Sequence, residues 1–246
     1  MDFNSASRSF FPPVVKNLLI INGLMFLAKI VLEGRGIDAE HLLGIHYFQS
    51  DFFKPWQIVS HLFMHGDLTH LIFNMFALWM FGRNLEIIWG QKRFFNFYFL
   101  TAFGAILLYY IVVFIRLQMI DPAIIEELKA MGGEAFWNNY TNPSIGVYSY
   151  LVEGGLLLNT PAVGASGAIY GLLGATYALF PNTVVYLYFA IPIKMKWLTL
   201  GLAAVALYMG ITQPGDNTAH FAHLGGLIAG ILIVKYWNKS NRNSFY

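Results

Sequence analysis

Three short stretches hold the residues able to do chemistry. The first is His61-Leu-Phe-Met-His65-Gly66-Asp67-Leu-Thr-His70-Leu-Ile-Phe-Asn74. Asp67 after Gly66 is a good N-cap for a helix. The i, i+4 spacing of His70 and Asn74 then puts both on one face. Side by side they can aim two hydrogen-bond donors at one point, which is what a developing oxyanion needs. The second stretch is Gly164-Ala165-Ser166-Gly167-Ala168-Ile169-Tyr170-Gly171. Ser166 opens a helix whose Gly167, Gly171 and Gly174 form a small face that admits a close neighbour. The free N–H groups of a helix start add donors beside the hydroxyl. The third is His220-Phe221-Ala222-His223-Leu224-Gly225-Gly226, with Gly230 one turn further on. Gly226 and Gly230 make a second small face, and His223 lies one turn before it. If the two glycine faces pack, the Ser166 hydroxyl and the His223 imidazole fall at similar depth, and such a pair makes an activated nucleophile.

Each stretch taken alone has a blander reading. Serine beside glycine usually serves helix packing, a lone buried histidine is usually a structural hydrogen-bonder, and GxxxG alone speaks only of helix contact. The three together, in this order, point to acyl transfer. There is no cysteine, so a thiolate nucleophile, a disulfide framework and a Cys-ligated metal are excluded. His61 and His65 are four apart but no Glu follows His61, so a His-Glu-x2-His metal site is not present. No metal or other cofactor is implied. A transporter would more often show paired repeats with broken helices, and no internal repeat is visible.

The elements that must position these residues are membrane spans. Hydrophobic residues make up 57% of the 246 and charged residues 11%, against about 25% charged in a soluble domain. The formal charge of +2 comes with no Lys/Arg block of the kind that binds nucleic acid. A spanning helix needs about 20 mostly apolar residues. The pattern predicts an all-α polytopic membrane protein with six spans in one domain covering 1–246, at about 14–32, 68–81, 94–115, 166–180, 197–211 and 220–236. No small-residue cleavage pattern follows the first apolar stretch, so it reads as a retained span, with Lys29 near its end free to snorkel. Pro181 stops the fourth span and Pro214 closes the fifth. The fourth is too short to cross a bilayer, and Leu156-Leu157-Leu158-Asn159-Thr160-Pro161 before it reads as irregular backbone dipping into the membrane. Ser166 is thereby expected at the floor of a cavity. The aromatics of the two long loops, among them Trp56, Phe136, Trp137, Tyr140, Tyr148 and Tyr150, are read mostly as an interfacial belt. Basic residues set orientation: with the N-terminus in the cytoplasm, ten Lys and Arg from Arg8 to Arg242 fall inside and only Arg35, Lys54, Arg116 and Lys129 fall outside. Both termini are therefore expected in the cytoplasm, with the three chemical stretches at the outer ends of their spans.

The pattern His65-x4-His70-x3-Asn74, then Gly-Ala-Ser-Gly-Ala-Ile-Tyr-Gly, then Ala-His-x2-Gly-x3-Gly resembles the rhomboid family of intramembrane serine proteases over about Val14 to Tyr236. The resemblance implies Ser166 as nucleophile and His223 as base of a dyad. It implies an oxyanion held by His70, Asn74 and the Ser166 N–H, with Tyr170 packed on the catalytic histidine. Gly164 matches the glycine before the nucleophile, His65 a structural histidine and Glu86 an acid bracing the loop side. The fifth span resembles the family's lateral gate. Transmembrane proteins are the implied substrates, lipid the solvent, and a bacterial inner membrane the place, as for the basic six-span prokaryotic type. Two features depart from the pattern: Trp56-Gln57 stands where many members carry Trp-Arg, and His220 stands where some carry another polar residue. A non-catalytic relative that binds membrane clients is the alternative, but such proteins characteristically lack the Ser or the His.

Overall fold

The structure, a computed structural model, describes residues 10–141, 149–187, 190–212 and 217–240. Arg8, Tyr148, Pro214, Asp216, Arg242 and the side chain of Tyr150 lie outside the described residues. Among the described residues, five helices are long and apolar enough to cross a membrane: α1 (Pro13–Glu33), α4 (Leu68–Trp89), α5 (Gln91–Gln118), α10 (Met195–Thr212) and the part His220–Lys239 of α11 (Asn217–Ser240). Their outward faces carry exposed Leu24, Leu27, Ile30, Leu107, Leu200, Ile211 and Leu232, a surface suited to lipid and not to water.

The sixth expected span is α9 (Ser166–Leu179). Its 14 residues reach only about 21 Å, short of the roughly 30 Å hydrocarbon core. It is central instead, with Gly167, Ala168, Ile169 and the run Gly171 to Ala175 buried, and its neighbours are α5 and α11. Small residues make this approach possible. A methyl group at Gly226 or Gly230 of α11 would run into the carbonyl oxygen of Gly167 or Gly171 of α9. One at Gly167 would lie 2.6 Å from Cβ of Ala105 on α5. Without a hydrophobic drive between helices in lipid, this close packing is what binds them.

Several expectations are corrected. The second span runs on to Trp89, through a π-helical turn at Leu78–Gly82 and past the polar Arg83-Asn84. It continues because Gly82 packs tightly on Val15 and Phe94, and because Glu86 has a buried task. The Glu86 carboxylate accepts from the N–H groups of Val14 and Val15 at 2.9 and 2.8 Å. It thus caps the start of α1, where a negative charge suits the helix dipole, and does not brace a loop. Residues 156–159, expected irregular, end the helix α8 (Ser149–Asn159); only the stretch from Thr160 to Ala165 is irregular.

The long loop between α5 and α9 is folded. α6 (Pro122–Met131), α7 (Gly133–Thr141) and α8 enclose a second core of Tyr47, Tyr109, Leu128, Phe136, Leu151 and Leu157. Phe136 is fully buried against Gly155, so it belongs to this core and not to a belt. Trp56 and Tyr140 remain exposed. The first loop, between α1 and α4, carries the short helices α2 (Ala39–Leu43) and α3 (Gln57–Ser60). A two-stranded antiparallel hairpin, β1 (Val184–Leu187) with β2 (Ile191–Lys194), joins α9 to α10. The β-branched run Thr183-Val184-Val185 favours it, although the apolar pattern predicts only helices.

Candidate active site

Ser166 is the first residue of α9 and His223 lies in the first turns of α11. The glycine seam brings them together, with His223 Nε2 2.7 Å from Ser166 Oγ. At that distance the hydroxyl can donate to a neutral imidazole. The Tyr170 ring, one turn along α9, stacks parallel on the His223 ring with centroids 4.4 Å apart. It fixes the plane of the imidazole. The His220 ring stands edge-on to His223 at 6.0 Å. Among the described residues no carboxylate is hydrogen-bonded to His223.

The stretch before Ser166 is held by the first loop. Ala162 and Ile45 exchange backbone hydrogen bonds of 2.9 Å in each direction, and Gly164 N–H donates to the His61 carbonyl at 2.9 Å. Irregular backbone at this depth is tolerated because protein satisfies it. Gly164 has φ of +120°, and a Cβ there would lie 2.9 Å from His70 Nε2 and 3.6 Å from Ser166 Oγ. Only glycine lets the chain turn here while His70 stays close to the hydroxyl. His70 sits in the first turn of α4, where its backbone N–H donates to the capping Asp67 carboxylate at 2.8 Å. Asn74 is buried one turn deeper on the same helix. His65 is fully buried, its ring edge-on to His70 at 5.0 Å. A cavity of about 40 Å³ borders Ser166, Gly164, His61 and His223, room for a water. Burial pushes the imidazoles of His61 and His65, both outside the spanning helices, down to about 4, so both are neutral at pH 7.

Three supporting residues have roles that the sequence pattern does not reveal. His61 walls the cavity beside Ser166. Gln57, fully buried, ties the first loop together: its amide donates to the carbonyls of His41, Leu42 and Phe52, and its oxygen accepts from Lys54 N–H. It is the bracing residue of this loop in place of an arginine. Lys29, expected to snorkel, is instead buried. Its ammonium donates to Glu40 Oε1 at 2.5 Å, to the His65 carbonyl at 3.1 Å and to the Gly66 carbonyl. An ionisable residue within a span was the available signal; its hydrogen-bond partners lie 11 to 37 residues away, and only the ion pair with Glu33 at i+4 is local.

The Rhomboid domain matches residues 53–117 and 127–239. The chain belongs to the rhomboid family. It is 25% identical over 213 residues to RHOMBOID-like protein 12, mitochondrial, of Arabidopsis thaliana, covering 87% of this chain and 55% of that protein. It is 28% identical over 184 residues to Rhomboid protein 1, mitochondrial, of Saccharomyces cerevisiae, covering 74% of this chain and 42% of that protein. It is 24% identical over 226 residues to Rhomboid protease AarA of Providencia stuartii, covering 88% of this chain and 69% of that protein. The chain thus spans about half the length of the first two. This rhomboid protein is an integral membrane protein, and its family includes proteins named as proteases.

Proposed function

We propose that this rhomboid protein is a serine endopeptidase that cleaves transmembrane segments of other membrane proteins by a Ser–His dyad. The observation that carries the reading is the 2.7 Å contact of His223 Nε2 with Ser166 Oγ, with Tyr170 stacked behind the imidazole. His223 takes the hydroxyl proton as Oγ attacks the peptide carbonyl. His70, Asn74 and the Ser166 N–H hold the oxyanion. The C–N bond then breaks, and the leaving amine takes its proton from the His223 imidazolium. A water activated by the same imidazole hydrolyses the ester, and Ser166 is regenerated. Gly164, by its backbone turn, and His65, packed on His70, position these groups.

A continuous helix hides its carbonyls, so the substrate must unwind locally before Ser166 can reach one. Entry past α10 serves this purpose. The termini lie in the cytoplasm, the membrane is a bacterial plasma membrane, and the site opens outward. The asymmetry of ten basic residues against four supports that orientation.

The test is fluorophosphonate labelling of purified protein, with cleavage of a model transmembrane substrate alongside. Wild type is expected to label and cleave, and Ser166→Ala and His223→Ala to do neither. A folded wild type that neither labels nor cleaves overturns the protease reading in favour of a client-binding protein.

A further inference from the structure

At the end of the bundle opposite the Ser166–His223 pair, the turn between α4 and α5 meets the last turns of α11. A cavity of about 580 Å³ lies there, lined by Trp89, Gln91, Lys92, Arg93, Asn96 and Trp237. Trp237 follows His223 by 14 residues of one helix, about 21 Å along its axis. The cavity therefore sits at the other face of the bilayer, where Trp side chains favour the headgroup level.

Its chemistry is one-sided. The Arg93 guanidinium lies 4.1 Å from the centroid of the Trp237 ring and 6.0 Å from that of Trp89. The two indoles meet edge-to-face at 5.5 Å. A guanidinium stacked on an indole face keeps its in-plane N–H groups free for an acceptor. Lys92 adds a second cation, and the Gln91 and Asn96 amides add neutral donors. Among the described residues no carboxylate lines the cavity, and none is ion-paired with Lys92 or Arg93. Beside the cavity in sequence, Ile88 and Phe95 expose apolar side chains, a surface for acyl chains.

We propose that this cavity binds the phosphate group of an anionic phospholipid. Two cations with no carboxylate beside them suit a net negative headgroup. A choline or ethanolamine headgroup would bring a further cation beside Lys92 and Arg93, with no carboxylate among the lining residues to receive it. Basic pockets between spanning helices on the cytoplasmic side take anionic headgroups. The site stands apart from the dyad, and its test does not depend on catalysis.

The experiment is native mass spectrometry of the detergent-purified chain titrated with dioleoyl phosphatidylglycerol or dioleoyl phosphatidylcholine. Wild type is expected to retain one phosphatidylglycerol in preference to phosphatidylcholine. Each cation near the headgroup is worth about fivefold in affinity, so Lys92→Gln lowers retention about fivefold. The double variant K92Q/R93Q lowers it about 25-fold on the same basis. Lys92→Gln leaves the Trp stack untouched and so reads binding without a folding defect. Lys16→Gln, an exposed cation outside the cavity, is expected to change nothing. Equal retention of the two lipids, or equal effects of K92Q and K16Q, overturns the proposal. Displacement of the lipid by millimolar inorganic phosphate or glycerol 3-phosphate also overturns it, because the cavity is then a site for free phosphate.

Discussion

An ammonium that cannot reach water needs acceptors, and Lys29 is supplied with them by three different parts of the chain. Glu40 comes from the first loop, the carbonyls of His65 and Gly66 from the turn before α4, and Glu33 from the same helix at 3.5 Å. The lysine thereby fixes where α4 begins, two residues before His70. Removing one partner of a buried pair costs about 3–5 kcal/mol, and the cost here is smaller because Glu40 is one-third exposed. Lys29→Met is therefore expected to lower the midpoint of thermal unfolding in detergent clearly. Glu40→Gln is expected to lower it less, since Glu33 and two carbonyls still serve the ammonium. The double variant should be no worse than Lys29→Met alone, and strict additivity would argue against the pairing. The oxyanion assignment is tested one helical turn away. Asn74→Ala is expected to lower kcat about 10²-fold with little change in KM, and an unchanged kcat would remove Asn74 from that role.

Between elements, the seam of α9 with α11 does what a hydroxyl and an imidazole 57 residues apart cannot do alone. Gly226→Val would drive a branched side chain into the Gly167 carbonyl, so α11 must move away and take His223 with it. Fluorophosphonate labelling and thermal stability are both expected to fall, and a variant with normal labelling would show that the seam does not set the dyad. This seam was legible in the sequence because small-xxx-small spacing is a local pattern with one packing consequence. The outer elements were less legible. Loop one is held by Gln57, whose side-chain bonds reach back 3 to 16 residues and follow no period. The α6–α8 cap has short helices whose polar faces hide the buried side of Phe136. The first loop also gives a pH prediction. His46 is fully buried beside Gln57 and burial pushes its pKa down to about 4, while His41 next to it is also lowered by burial. The unfolded chain, with an ordinary value near 6.5, binds more protons between these limits. Stability is then full above about pH 6.5 and falls as pH drops toward 4. A pH series of thermal midpoints should show this slope in wild type and a shallower one in His46→Gln; equal slopes would mean that His46 does not carry it.

For the molecule as a whole, hydropathy marked the five long apolar helices, because length and apolarity are enough to do so. It misjudged the end of α4, where tertiary bonds through Glu86 carry the helix past a polar pair. Orientation is a separate matter, since it rests on where basic residues lie and not on packing. The dyad and the Lys92–Arg93 cavity are at opposite ends of the bundle, so one orientation decides which faces the cytoplasm. The chain has no cysteine, and single cysteines can therefore report their side without background. Lys129 lies on α6 in the α6–α8 cap and Gln91 at the start of α5, both exposed. With both termini inside, Lys129→Cys is expected to react with a membrane-impermeant maleimide on intact cells, and Gln91→Cys only after permeabilisation. The reverse pattern would invert the molecule. The dyad would then face the cytoplasm, and its substrates would have to present their unwound segment from that side.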